Sequence, residues 1–160
     1  MKRRLIVVSA SSRVVGPIGE AIPAIDRYDG VLMRTIRKCI REGYVDPRDV
    51  LIVSPSLGLV RGSDSVPYHE PVEGSWHSPK LDAVGLGRMN HVALLLLKEI
   101  AESQEYSEVY INVGKGLYPI IAGIEKLPPW KIVYASGKGL GPKTAHMRDW
   151  MLSKTTIHSS

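Results

Sequence analysis

Two seven-residue words, Val-Gly-Lys-Gly-Leu-Tyr-Pro at 113–119 and Ser-Gly-Lys-Gly-Leu-Gly-Pro at 136–142, stand 23 residues apart in a chain of 160. Glycine reaches backbone conformations closed to other residues and lets the main chain come close to a ligand. Gly114, Gly116, Gly137 and Gly139 could therefore turn successive N–H groups toward an anion, with Lys115 and Lys138 adding charge. The words are not a Walker loop, because the lysine lies between the glycines and no Gly-Lys-Ser/Thr follows a four-residue spacer. Gly-x-Gly also serves βα turns for steric reasons alone. A second candidate is Ser9-Ala10-Ser11-Ser12-Arg13. The hydroxyls of Ser9 and Ser11 with the guanidinium of Arg13 could hold a phosphate or carboxylate, or form a plain solvated connection. A third is the polar excursion 53–76, which carries Tyr68, His69, Glu70, Glu73, Trp76 and His77. His69, Glu70, Glu73 and His77 could act as acid and base, but their spacing fits no metal-ligand pattern. Tyr68 and Trp76 read either as loop anchors or as a stacking surface for a base.

These groups need elements to position them. Residues 5–8 form a short apolar run, the signature of a strand covered on both faces, and it ends at Ser9. Pro17 and Pro23 are expected to keep 14–25 irregular. Leu32, Ile36, Cys39 and Ile40 fall at helical spacing and predict a helix over 29–42, capped by Asp29 and stopped by Gly43. Its outer face carries Arg34, Arg37, Lys38 and Arg41. A second strand follows at 50–53, then the long excursion, stiffened by Pro67 and Pro71 and anchored by Leu59, Tyr68 and Trp76. The pattern over 82–103 predicts the longest helix, with Met89, Val92, Ala93, Leu96 and Ile100 in one stripe and Leu94, Leu95 and Leu97 widening it, so it should be heavily buried. Strands at 109–113 and 131–135, helices at 117–127 and 144–154, and a frayed tail at 155–160 complete the reading. Strands alternating with helices imply a mostly parallel sheet whose ligands sit beyond the carboxyl ends of its strands. Lys115, Lys138, Arg13 and Arg61 are expected at that edge, with Lys143 near them.

The length suits one domain, taken as 1–154. A net charge of +5 and a pI near 9.4 favour anionic partners, although 16 acidic residues are interspersed with the basic ones. The single Cys39 cannot form an intramolecular disulfide and reads as a packed core thiol, which suits a reducing cytoplasm. The apolar run after the basic start is too short for a signal peptide, and the run around 91–101 is too short to span a bilayer, so no membrane partner is expected. A Gly-x-Ser-x-Gly elbow, His-Glu-x-x-His, a zinc-type cysteine pair and a Gly-x-Gly-x-x-Gly after the first strand are all missing from the sequence.

The words Ser9 to Arg13, Tyr28-Asp29-Gly30, Ser54-Pro55-Ser56-Leu57-Gly58-Leu59-Val60, Pro67-Tyr68-His69 and Pro71 to Trp76 resemble the central domain of archaeosine synthase and a related family of stand-alone α/β proteins. The chain differs at Ala10, where that family usually has cysteine, and at His69, where the stand-alone relatives tend to have aspartate. It is expected to be the module alone, without the transglycosylase-like and RNA-binding domains that accompany it in archaeosine synthase. The resemblance implies a uracil-DNA-glycosylase-like fold: a three-layer α/β/α sandwich on a four-stranded parallel sheet of order 2-1-3-4. It also implies recognition of a nucleotide, nucleoside or modified base, with chemistry at an N-glycosidic bond or a part in tRNA modification. Tyr28, Gly58, Tyr68 and His69 then join Ser9, Ser11, Arg13 and the two Gly-Lys-Gly loops as ligand-binding residues. The expected partners are an anionic small molecule and tRNA. No cofactor and no catalytic residue is implied. Two alternatives from other classes stand beside this reading: a non-catalytic RNA-binding or adaptor module serving a tRNA-modifying enzyme, and a structural interaction domain whose loops are only connections.

Overall fold

The computed structural model describes residues 2–11, 13–71, 74–75, 78–79, 81–127 and 130–157. Its principal elements are β1 (Arg3–Ser9), α1 (Val31–Arg41), β2 (Val50–Ser54), β3 (Gly58–Arg61), α2 (Ala83–Glu102), β4 (Tyr106–Asn112), β5 (Lys131–Tyr134) and α3 (Leu140–Ile157). One five-stranded sheet has the order β5-β4-β1-β2-β3. The first four of these are parallel, and β3 runs antiparallel to β2 at the edge. Side chains on a strand alternate between faces. Leu5, Val7, Leu51, Val53, Val109 and Ile111 thus meet Ala93, Leu97 and Ile100 of α2 on one side. Ile6, Val8, Val50, Ile52 and Tyr110 meet Leu32, Met33 and Ile36 of α1 and Met147 and Met151 of α3 on the other. This covering on both faces explains why β1 and β2 read as unbroken apolar runs.

Ion pairs fix the amino edge of the sheet. Arg3 donates from Nε and Nη2 to the two oxygens of Asp49 at 2.9 and 2.7 Å, and the Tyr106 hydroxyl donates to Asp49 Oδ1 at 2.7 Å. Arg4 lies 3.6 Å from the ring centroid of Trp150 and donates to Glu108 at 3.2 Å, while the indole N–H donates to the same carboxylate at 2.7 Å. These contacts clamp α3 onto β1 and β4 and leave the carboxyl edge to loops.

Several expectations are corrected. The sheet has five strands, not four all-parallel ones, because the chain turns back at Pro55-Ser56-Leu57. The Ser54 hydroxyl accepts the N–H groups of Ser56 and Leu57 at 3.2 and 3.1 Å, and Gly58 adopts φ +75°, which starts β3. The excursion after β2 therefore opens as a hairpin, and Ser65–Val66 then pairs with Ile22–Pro23. The segment 14–25 is correspondingly less irregular than its prolines suggest, with short strands at Arg13–Val14 and Ile22–Pro23 and the one-turn helix Ala24–Arg27 beginning within it. Residues 117–127 make two 3-10 turns, Tyr118–Ile121 and Ile124–Lys126, instead of an α-helix. Pro119 has no N–H to offer, and Gly123, at φ +100°, breaks the run between them. Gly30, not Asp29, is the N-cap of α1. The stop at Gly43 is as the sequence suggests, with φ +84° and its N–H on the Ile40 carbonyl at 3.1 Å. Val92 and Leu95 of α2 face outward, so that helix is not buried all round. Finally, α3 begins at Leu140, four residues before the expected start, and runs to Ile157. Among the described residues no helix is long and apolar enough to cross a membrane.

Candidate functional site

Where β1 ends, its last residues meet the start of α1 around a cavity of about 200 Å³. Ser9, Ser11, Asp29, Gly30, Arg34 and Leu140 line it. The packing favours glycine at position 30: a Cβ there would stand 2.3 Å from Ser11 Oγ and 2.9 Å from Ser11 Cβ, so Ser11 would have to shift. Buried Ser9 accepts the Gly114 N–H at 2.9 Å, and its own proton has no acceptor among the described residues. The first turn of α1 has neither an acidic residue nor a side-chain cap, so the positive end of its dipole is uncompensated within the helix.

Asp29 organises the charge. Its Oδ1 receives Arg37 Nη2 at 2.8 Å and lies 3.5 Å from Arg34 Nε, and its Oδ2 lies 3.8 Å from Arg13 Nη1. The hydrogen bond from Arg37 holds this carboxyl below its ordinary value; desolvation opposes that shift, and the charges of Arg34, Arg37 and Arg13 reinforce it. Three guanidiniums around one carboxylate leave the rim net positive. Arg37 also donates to the carbonyls of Ile25 and Tyr28 at 3.0 and 2.9 Å, so it is half-buried structure and not part of a solvated face.

The residue before Asp29 serves a neighbouring cluster. Buried Tyr28 donates its hydroxyl proton to Ser54 Oγ at 3.0 Å, and the same oxygen lies 2.7 Å from His69 Nε2. A phenol has one proton, so which of the two groups donates in the second contact follows the imidazole tautomer; His69 Nδ1 lies 3.3 Å from the Glu70 carbonyl. Burial raises the Tyr28 phenol above its ordinary value, so it stays a neutral hydroxyl through the physiological range.

Arg27, fully buried, was passed over by sequence reasoning. It donates to the carbonyls of Val15 and Pro17 at 2.8 and 2.9 Å, to that of Glu20, and to that of Val66 at 3.2 Å. Its guanidinium carbon lies 5.9 Å from the Tyr68 ring centroid. The only available signal was a cation inside a segment otherwise packed with apolar and turn residues.

Most of the described residues singled out from sequence are thus distributed over one edge. Ser9 and Ser11 line the cavity, Arg13 pairs with its carboxylate, and Gly114 is bonded to Ser9. Tyr28 and His69 form their own pair, and Tyr68 is half-buried beside Arg27. Gly58 makes the hairpin turn and would place a Cβ 3.5 Å from Met89. Arg61 is a correction: it pairs in register with Leu51, so the hairpin returns it toward the amino end of β2, away from the carboxyl edge. Lys115 and Lys138 are exposed, and Gly116 and Lys143 are half-buried. The two similar words build different turns. In the first, the N–H groups of Leu117 and Tyr118 both reach the Gly114 carbonyl at 3.0 Å. In the second, Gly137 and Gly139 take φ +127° and +86°, and the helix that follows brings Leu140 to the cavity. Glu73, Trp76 and His77 lie outside the described residues. Comparison with family models, with curated proteins and with solved structures found no match.

Proposed function

We propose that the chain recognises a nucleotide, nucleoside or modified base in the cavity between Ser9, Ser11 and the start of α1. The observation that carries this reading is a ring-sized cavity with a net positive rim and hydroxyl and peptide donors in its wall. An apolar cavity of about 150 Å³ takes a benzene ring, and drug-sized sites run from about 300 Å³ upward. A cavity near 200 Å³ therefore suits a single heterocycle or one phosphate with part of a sugar. Arg34 and the uncapped turn of α1 would meet an anionic group, while Asp29 Oδ2, which among the described residues has Arg13 at 3.8 Å beside it, would accept from a base N–H. The parallel strand order β2-β1-β4-β5 is compatible with a glycosylase-type sheet and supports the same reading. The resemblance of 54–60 and 67–69 to the archaeosine-synthase module makes a deazaguanine base the first ligand to test.

Thermal unfolding with a panel of deazaguanine, guanine, their nucleosides and monophosphates, and inorganic phosphate tests the proposal. A ligand at 100 times its Kd stabilises by about 2.7 kcal/mol, which raises Tm by roughly 5–11 °C in a chain of this size. Arg34→Ala should weaken the phosphorylated ligands about tenfold or more. The reading fails if no member of the panel shifts Tm at about 1 mM, roughly a thousandfold above a Kd of about 1 μM. If tRNA then binds with an affinity that falls by about 10³ between 50 and 200 mM salt, the chain belongs with RNA-binding modules instead.

A further inference from the structure

Helix α2 packs Ala93, Leu97 and Ile100 on the sheet, yet its opposite side is also apolar. Val84, Val92 and Leu95 are 65%, 62% and 55% exposed, three of the seven large hydrophobic side chains most exposed among the described residues. Apolar side chains scattered singly over a surface need no explanation, but a cluster does. Together with Arg88 and Glu99 these three form the series 84, 88, 92, 95, 99, whose steps of four, four, three and four trace one line along a helix. Arg88 and Glu99 are both exposed, and neither has an ion-pair partner among the described residues.

The order along that line is self-complementary. Val92 and Leu95 lie 1.5 residues on either side of the point midway between Ala93 and Leu94, and Arg88 and Glu99 lie 5.5 residues on either side of it. At 1.5 Å rise per residue the charges stand about 8 Å from that point, in opposite directions. We propose that this face pairs with the same face of a second copy of the chain, the two α2 helices running antiparallel about a two-fold axis through that midpoint. Each Val92 then packs on the other copy's Leu95, and each Arg88 meets the other copy's Glu99. A two-fold axis makes every contact occur twice, so two apolar pairs are bracketed by two ion pairs. A parallel arrangement would instead set Arg88 on Arg88 and Glu99 on Glu99. The charge pattern thus selects a second copy in one orientation.

Sedimentation equilibrium of the full chain over a concentration series tests this. The natural sequence should show a monomer–dimer equilibrium. Arg88→Glu and Glu99→Arg should each raise its Kd about tenfold or more, because each turns two attractive contacts into two repulsive ones. Mixed together, these two variants should pair with each other, since one offers only acidic and the other only basic residues at 88 and 99. The double variant Arg88→Glu with Glu99→Arg should dimerise like the natural sequence, and Leu95→Lys should be monomeric with unchanged helical circular dichroism. A natural chain that stays monomeric throughout the series would overturn the proposal, leaving the face to a different partner. So would a dimer indifferent to both reversals, or single-reversal variants that fail to pair on mixing.

Discussion

Replacing Arg27 by methionine keeps the length of the side chain and removes its charge and donors, which isolates what the guanidinium does. In the folded chain it is 0% exposed and satisfies four carbonyls, those of Val15, Pro17, Glu20 and Val66. The Val66 carbonyl is on the buried side and would be stranded, which costs about 1–3 kcal/mol. The other three belong to the 15–20 stretch and can turn to water only if that stretch lifts away, forfeiting charged hydrogen bonds worth about 1.5–3 kcal/mol each in isolation but not additively. A total loss of about 3–5 kcal/mol follows, the usual range for removing one partner of a buried charged network. Tm should fall by roughly 6–20 °C, at about 2–4 °C per kcal/mol for this chain length. Urea unfolding by tryptophan fluorescence measures the loss, and limited proteolysis should show new cleavage within 15–20. Arg27→Lys, with one ammonium for several carbonyls, should fall between the natural chain and the methionine variant. A methionine variant within about 1 kcal/mol of the natural chain, with no new cleavage, would refute the assignment of Arg27 as the anchor of this segment.

Other perturbations test the site itself. Gly30→Ala places a methyl 2.3 Å from Ser11 Oγ and should cost about 1–3 kcal/mol; at φ 169° the backbone is unstrained, so Ser11→Gly in the same chain should recover most of that. A neutral Gly30→Ala in urea unfolding would show that the contact is loose. Tyr28→Phe should destabilise by about 1–2 kcal/mol, because the buried hydroxyl links Ser54 and His69, and an unchanged urea midpoint would remove that link from the account. Burial raises the phenols of Tyr28, Tyr106 and Tyr110, the last to about 12. A phenol raised in the folded state binds its proton there more tightly than in the unfolded chain. Its contribution is therefore complete below about pH 10 and declines as pH rises past that value, by up to about 1.4 kcal/mol per unit for each group. Stability measured from pH 8 to 12 should fall as absorbance near 295 nm rises with tyrosine ionisation, and a flat profile to pH 12 would contradict the burial of these rings.

The parallel core of the fold was legible because its signals are local and redundant. Two-sided burial writes β1 and β2 as unbroken apolar runs, and the Leu32, Ile36 and Cys39 stripe with Gly43 behind it writes α1. What escaped depends on backbone details that spread over few residues. The hairpin into β3 rests on one serine hydroxyl receiving two N–H groups and one glycine at positive φ. The apolar residues 117–127 have helical spacing, but Pro119 and Gly123 reduce them to two 3-10 turns that still bury Ile120, Ile121 and Ile124. On α2 the sequence pattern was a wide apolar stripe, and nothing in that pattern says that the part of it bearing Val92 and Leu95 is exposed.

The site was harder to read than the fold because no single stretch contains it. Its wall comes from residues 9–11, 29–34 and 140, segments that are bland alone and meaningful only once β1, α1 and α3 bring them together. The four residues 27–30 show how tightly roles can be packed: Arg27 anchors the preceding loop, Tyr28 holds Ser54 and His69, Asp29 gathers three arginines, and Gly30 gives Ser11 its space. Sequence reasoning singled out Tyr28 by resemblance and took Asp29 as a helix cap, since a carboxylate ahead of an amphipathic helix usually serves that way. The uncapped turn and the arginine cluster are two sides of that misreading. With Asp29 drawn toward Arg37, the first turn of α1 has no side-chain cap beside the cavity, and under the function proposed above a ligand's anionic group would complete both.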